Sequence, residues 1–294
     1  MQEALVLFVV QPNERNVFDQ RLVEYGLHAQ SIPVQRITLE QVNAQCFLNE
    51  EGHLVHRTTE QLVSVVYYRA GYGPEDYEGS SDEKDPNVRW EGRALLQQSR
   101  AINCPDLLTQ LAGSKAVQQQ LAMPGVVERF LPREDSAAAI RSTFVQLFPL
   151  DASSALGREG RDIIRDAERV KEFVLKPQRE GGGHNVYGEA ILPFLSEKKT
   201  CKKEEEETAW WSGYILMERI RPPPSMNVLL RHGEDRLADT LVISELGMYG
   251  FGIWDEHQLY VNKARGYLLR TKKEHDNEGG VAAGFGALDS IQFE

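Results

Sequence analysis

Apolar residues open the chain without alternation. Ala4-Leu5-Val6-Leu7-Phe8-Val9-Val10 contains no polar member, the signature of a strand buried on both faces of a parallel sheet. A loop is expected over Gln11 to Asn16, then a helix through His28, then a strand near Val34 to Leu39. A polar stretch with a turn signal at Asn49-Glu50-Glu51-Gly52 precedes the β-branched run Leu62 to Tyr68. This β-α-β order implies a crossover helix and a small parallel sheet. In open α/β sheets ligands sit at the carboxyl ends of the strands, which makes Asn16, Gln20, Arg69 and Tyr72 candidate loop residues. Glu75 to Asn87, rich in Asp, Glu, Ser, Gly and Pro, reads as a surface loop ahead of a helix at Arg89 to Arg100.

The pattern changes at Ser114. Helices are expected at Ser114–Leu121, Asp135–Phe148 and Arg158–Glu172. Strands are expected at Phe173–Lys176, Tyr214–Arg219, Leu237–Leu246 and Gln258–Asn262. The alternation in Leu237–Leu246 suits an antiparallel sheet with one covered face. The fold class is therefore α/β over 1–112, a small parallel-sheet domain, joined near Gly113 to an α+β domain with an antiparallel sheet over 113–294. The Lys-Lys and Glu-Glu-Glu-Glu blocks within Ser196–Glu207 read as a solvated segment without chemistry.

The densest chemistry lies in 174–188, Val-Leu-Lys-Pro-Gln-Arg-Glu-Gly-Gly-Gly-His-Asn-Val-Tyr-Gly. An apolar strand runs into Lys176, and Pro177 removes an N–H and stops the ladder. Gly181, Gly182 and Gly183 lack Cβ atoms, so their N–H groups can close on an anion. Glu180 is a hard oxygen ligand of the kind that a phosphate-bound Mg²⁺ needs. Gln178, Arg179, His184, Asn185 and Tyr187 surround the turn. The bland alternative is a surface hairpin with solvated charges. The segment lacks the Gly-Lys-Ser/Thr ending of a P-loop and the spaced glycines of a dinucleotide fingerprint.

The segment resembles the glycine-rich loop of eukaryotic-type glutathione synthetases, ATP-grasp ligases that join γ-glutamylcysteine to glycine. Other blocks agree in the same order: 14–20 (Glu-Arg-Asn-Val-Phe-Asp-Gln), 68–72 (Tyr-Arg-Ala-Gly-Tyr), 110–115 (Gln-Leu-Ala-Gly-Ser-Lys) and 215–218 (Ile-Leu-Met-Glu). Further on come 243–247 (Ile-Ser-Glu-Leu-Gly), 269–272 (Leu-Arg-Thr-Lys) and 279–284 (Gly-Gly-Val-Ala-Ala-Gly). The closing 284–290 looks most like plant or algal members. The resemblance implies an ATP-grasp fold for 113–294 with a lid at 279–284, a substrate-binding role for 1–112, and ATP with Mg²⁺ as cofactors. Lys115 and Lys176 are implied as phosphate or adenine-site lysines, Glu180 as the Mg²⁺ ligand, and Met217, Glu218, Arg219 and Ile220 as the adenine wall.

Glu245, set in an apolar strand, needs a partner. The resemblance offers an ATP contact, and a buried salt bridge is the other reading. Arg69 and Arg270 carry the fork that binds carboxylates. The resemblance gives γ-glutamylcysteine to Glu14, Arg15, Asn16, Gln20, Arg69, Ala70, Gly71, Tyr72 and Arg270. Arg270 and Lys176 are the candidate catalytic pair. Arg270 and Lys272 flank Thr271, so an extended segment aims both to one side; the resemblance implies that Lys272 meets nucleotide. Val281 and Ala282 line the choice of amine, which stays open among glycine, β-alanine and serine. Two positions depart from the pattern: His184 stands where relatives have Asn, and Glu278, a nucleotide contact, stands where animal relatives have Asp.

Composition sets limits. The net charge of −11 over 294 residues argues against nucleic acid or an anionic membrane as partner. Cys46, Cys104 and Cys201 are odd in number and far apart, which suits reduced thiols rather than a disulfide framework or zinc site. The start has no basic n-region or cleavage site and does not read as a signal peptide. No stretch reaches membrane-spanning length. The location expected is cytoplasmic, or a plastid for a plant or alga, with a homodimer by resemblance. Family members carry a long N-terminal region ahead of the equivalent of Ala4 to Val10. That region supplies two more Mg²⁺ ligands and further sheet strands. The expectation is therefore of a C-terminal part that is inactive alone, with a catalytically silent short form as the alternative.

Overall fold

A computed structural model describes residues 4–14, 16–78, 85–131, 133–178, 184–198, 211–230, 239–277, 279–281 and 284–292. The first part is built on β1 (Leu5–Val10), α1 (Val17–Ala29), β2 (Val34–Ile37), α2 (Val42–Gln45), a hairpin of β3 (Cys46–Leu48) and β4 (Leu54–His56), β5 (Val63–Arg69), α3 (Val88–Gln98) and β6 (Ile102–Cys104). The sheet order is β2-β1-β5-β6 with every pairing parallel. The unbroken apolar run of β1 explains its central place. Leu5, Leu7 and Val9 pack on one face with Leu54, Tyr68 and Leu96, while Val6, Phe8 and Val10 pack on the other with Leu27, Val65 and Tyr67. Fully burying one such side chain contributes about 1.5–3 kcal/mol, so this strand anchors both layers.

α4 (Leu107–Ala112) follows β6, and the second part contains α5 (Lys115–Ala122), α6 (Glu134–Arg141), β7 (Leu147–Pro149), α7 (Ala155–Arg165), β8 (Phe173–Pro177), β9 (Val186–Tyr187), α8 (Ile191–Lys198), β10 (Tyr214–Glu218), β11 (Ser225–Val228), β12 (Asp239–Trp254), β13 (Leu259–Lys273) and β14 (Ala287–Asp289). Two antiparallel sheets result, ordered β7-β10-β8-β9 and β11-β12-β13-β14. The first covers a core of Phe148, Ile163, Leu175, Ile191 and Leu216. The mixed architecture, a parallel sheet followed by antiparallel ones, is the fold class expected from the sequence.

Several boundaries differ from expectation. The helix expected over Asp135–Phe148 ends at Arg141, because Leu147 and Phe148 pair with Met217 and Leu216 of β10. Phe148 then meets Phe173 edge-on, with ring centroids 6.0 Å apart. The helix expected over Arg158–Glu172 starts earlier, at Ala155, and stops at Arg165. There the carboxylate of Asp166 accepts from the N–H groups of Glu168 and Arg169 at 2.9 and 3.0 Å and turns the chain. Strands β12 and β13 run well past the expected Leu246 and Asn262 as one long ribbon whose outer part exposes Met248, Phe251 and Trp254. Among the described residues no helix is long and apolar enough to cross a membrane, and Cys46 and Cys104 are free thiols.

Candidate functional site

Strand β8 carries Lys176 and Pro177 to the edge of the glycine-rich turn, and β9 returns on its far side, pairing Val174 with Tyr187 and Leu175 with Val186. Arg179, Glu180, Gly181, Gly182 and Gly183 lie outside the described residues, as do Arg15, Glu278 and Ala282. Lys176 is half-buried opposite Ile215. Gln178 does the joining. Its N–H donates to the Gly213 carbonyl at 3.0 Å, its own carbonyl accepts from Lys115 N–H at 3.1 Å, and its side-chain oxygen accepts from Ala116 N–H at 2.8 Å. The start of α5, with Lys115, is thus fastened beside the base of the turn. Lys115, 61 positions before Lys176, is in this way tied through its backbone to the residue that follows β8.

Beyond the turn His184 is exposed, and Asn185 Nδ2 donates to Tyr187 Oη at 3.5 Å. The phenol of Tyr187 donates to the Asn277 carbonyl at 3.1 Å, and Lys272 Nζ donates to the same oxygen at 3.0 Å. The guanidinium of Arg219 stands 5.7 Å from the Tyr187 ring centroid. Met217 and Glu218 close β10, half-buried. Glu218 N–H donates to the Gln146 carbonyl at 2.9 Å, and its carboxylate accepts from Gln146 N–H at 3.2 Å. Ile220 follows the strand and is exposed.

On β13 the expected alternation holds: Thr271 is buried, while Arg270 and Lys272 share the other face. Arg270 pairs across the ladder with Glu245, and their side chains form an ion pair. The sequence set Glu245 in an apolar strand with a buried salt bridge as one of its two expected partners; the ion pair is present, but its burial is corrected. The Glu245 side chain is 69% exposed, because β12 leaves the packed core as it enters the ribbon. Val281 borders a cavity of about 390 Å³ with Asn227, Leu229, Leu288 and Asp289. There Asp289 Oδ2 accepts from Thr271 Oγ1 at 2.9 Å and from Asn227 Nδ2 at 3.0 Å.

A second cluster forms at the carboxyl ends of β1 and β5. Glu14 accepts from Asn16 N–H at 2.8 Å and from Gln20 Nε2 at 2.7 Å. Gln20 is wholly buried, and its oxygen accepts from Arg36 Nη2 at 2.6 Å. Sequence reasoning missed Arg36 and Glu24, a buried carboxylate ion-paired with both Arg36 and Arg21. Arg69 donates to Asp19 at 2.8 Å. Burial pulls its guanidinium down, but hydrogen bonds to Tyr72 and Asp19 outweigh this and hold it above its ordinary range. Ala70 is buried, and Gly71 turns the chain at φ +77°, where a Cβ would lie 2.4 Å from Tyr77 Oη. Tyr72 is exposed. The 68–72 block therefore brings Arg69 and Tyr72 together, and Gly71 is required by conformation and by contact. Among the described residues no group of three or more His, Cys, Asp or Glu is placed to hold a metal ion.

The family model for the ATP binding domain of eukaryotic glutathione synthase matches residues 15–293. The chain belongs to this family. It is 43% identical over 290 residues to the chloroplastic glutathione synthetase of Solanum lycopersicum, covering 98% of this chain and 49% of that protein. It is 44% identical over 289 residues to the glutathione synthetase of Homo sapiens, covering 98% and 56%. The chain thus spans about half the length of the curated relatives it matches. Among solved structures, a glutathione synthetase-like effector (GSS30) from Globodera pallida shares the fold, with a TM-score of 0.66 and 19% identity over 99% of this chain and 57% of that one.

Proposed function

We propose that this chain is the ATP-binding part of a glutathione synthetase, which joins γ-glutamylcysteine to glycine at the expense of ATP. The reading is carried by one observation: relatives bearing that name are about 43% identical across 98% of the chain. The hydrogen bonds of Gln178 to Lys115 and Ala116 support it, since they hold the start of α5 against the end of the strand that carries Lys176. In this reading the peptide carboxylate attacks the γ-phosphorus of ATP and ADP departs. The amine of glycine then attacks the acyl phosphate carbon and loses a proton as phosphate leaves. The chain's part is positioning and charge neutralisation. Lys115 and Lys176 bear on the phosphates, and 217–220, Glu245 and Lys272 on the nucleoside side. Arg69, Arg270 and the Glu14-Asn16-Gln20 group hold the dipeptide, while Val281 and Ala282 border the amine.

Glu180 would hold the Mg²⁺ that neutralises the transferring group. A homodimer, a division near Gly113, and a cytoplasmic or plastid location belong to the same proposal. The test is ADP release by the gene product at its cellular length and by the 294-residue chain. We expect release to require γ-glutamylcysteine and glycine together and to yield glutathione by mass. Release that ignores the dipeptide, or a different ligated product, overturns the reading. Light scattering checks the dimer.

A further inference from the structure

Arg93, on α3, is 5% exposed. Its Nη1 donates to Tyr77 Oη at 3.3 Å, its Nη2 donates to Gln110 Oε1 at 2.9 Å, and its Cζ stands 3.9 Å from the Tyr68 ring centroid. Nε is buried without a hydrogen-bond partner. Among the described residues no carboxylate is ion-paired with it. Asp76, which flanks Tyr77, accepts instead from the N–H groups of Tyr72 and Gly73 at 2.6 and 3.5 Å. A guanidinium cannot shed its proton in a protein, and a buried charge without a counter-ion is costly. Such a cost persists where a bound anion offsets it.

The two side chains that Arg93 grips meet at one atom. Gln110 Nε2 donates to the Gly71 carbonyl at 2.7 Å, and Tyr77 Oη donates to the same oxygen at 3.4 Å. Gly71 is the pivot of the turn that presents Arg69 and Tyr72. Arg93 is therefore coupled to that turn through two independent bridges, with its own charge lying behind the turn.

We infer that Arg93 is a positioning residue for an anionic substrate: through Gln110 and Tyr77 it fixes the turn carrying Arg69, and its unpaired charge adds to the field met by a carboxylate there. This rests on the proposal that Arg69 binds a dipeptide carboxylate. The consequence is unlike that of an ordinary buried anchor. Removing the charge weakens peptide binding but relieves the ligand-free protein.

The test uses Arg93→Met, which keeps length and loses charge, with Arg93→Lys and Gln110→Leu, on the folded gene product. Titration with γ-glutamylcysteine in the presence of a non-hydrolysable ATP analogue is expected to show Arg93→Met weakened by roughly tenfold or more, the scale of one lost charge-assisted interaction. Arg93→Lys should recover part of that loss, and affinity for the ATP analogue should not move. Thermal unfolding without ligand should be unchanged or higher in Arg93→Met. An unfolding temperature that falls, or peptide affinity that holds in both Arg93→Met and Gln110→Leu, overturns the inference. Absence of peptide binding by the unaltered protein would instead sink the functional reading on which it rests.

Discussion

The backbone N–H of Lys115 donates to the carbonyl of Gln178 at 3.1 Å, fixing the first residue of α5 to the residue that follows β8. The side chain of Gln178 adds a second bond, to Ala116 N–H, and so acts as a helix cap supplied from a distant strand. For Gln178→Ala we predict a loss of about 0.5–2 kcal/mol of stability, the range for a lost cap. A drop in ATP affinity should accompany it, because Lys115 is no longer held against the end of β8. Denaturant unfolding and nucleotide titration on the same protein check both; normal affinity with lowered stability would detach Lys115 from the nucleotide.

Lys176 stands at the end of β8 and is half-buried. Lys176→Ala should weaken ATP binding by about 1.5–3 kcal/mol, the worth of a hydrogen bond to a charged group, with turnover falling in parallel. Calorimetric titration with ATP decides the matter, and an unchanged dissociation constant excludes the role.

Arg69 belongs to the other sheet, where it contacts Asp19 and Tyr72. Arg69→Ala is expected to raise the γ-glutamylcysteine KM by roughly tenfold or more, as for a lost charge-assisted contact, while the ATP KM stays within about twofold. Steady-state rates with each substrate varied in turn provide the measurement. Equal damage to both constants would show that the two parts of the chain do not divide the substrates as proposed.

Cys46 is fully buried in the first core, and that burial pushes its thiol from 9.0 up to about 11, Arg57 opposing the shift only in part. The folded chain therefore keeps the proton that the unfolded chain gives up. Its contribution to stability is present below pH 9 and declines as pH rises toward 11, by up to about 1.4 kcal/mol per pH unit. Urea midpoints at pH 8 and pH 10.5 should show this decline, and Cys46→Ala should flatten it even though its midpoint at pH 8 is lower. An equal slope in both proteins assigns the pH dependence to other groups.

What could be read from the sequence follows the strength of local signals. β1 and β5 were legible because nothing polar interrupts their core-facing residues, and Thr271 between Arg270 and Lys272 was legible because a strand's period of two has no competitor there. The hairpin β3–β4 and the short strands β6, β7 and β9 were not. Each strand is only two or three residues long, too short for a period of two to show, and β6 and β7 pair with strands distant in the chain. Ser136-Ala137-Ala138-Ala139-Ile140 favours helix strongly enough to carry a sequence reading on through Phe148, yet tertiary pairing with β10 recruits Leu147 and Phe148. The chemistry of 14–20 and 68–72 was visible as residue types, but Glu24, Arg36 and Arg93 became apparent only when folding brought distant polar groups into the interior. Glu245 misled because an apolar neighbourhood in sequence need not be buried; its strand had already left the core.

The Asn277 carbonyl oxygen accepts one hydrogen bond from the phenol of Tyr187 and another from the ammonium of Lys272. Two separate sheets are in this way pinned to a single main-chain atom just ahead of residues 279–281. That atom is a joint in the mechanical sense: a ligand that draws either donor toward itself slackens the same knot. A displacement of Tyr187 on one sheet or of Lys272 on the other therefore loads the same oxygen, so neither sheet shifts there without the other feeling it.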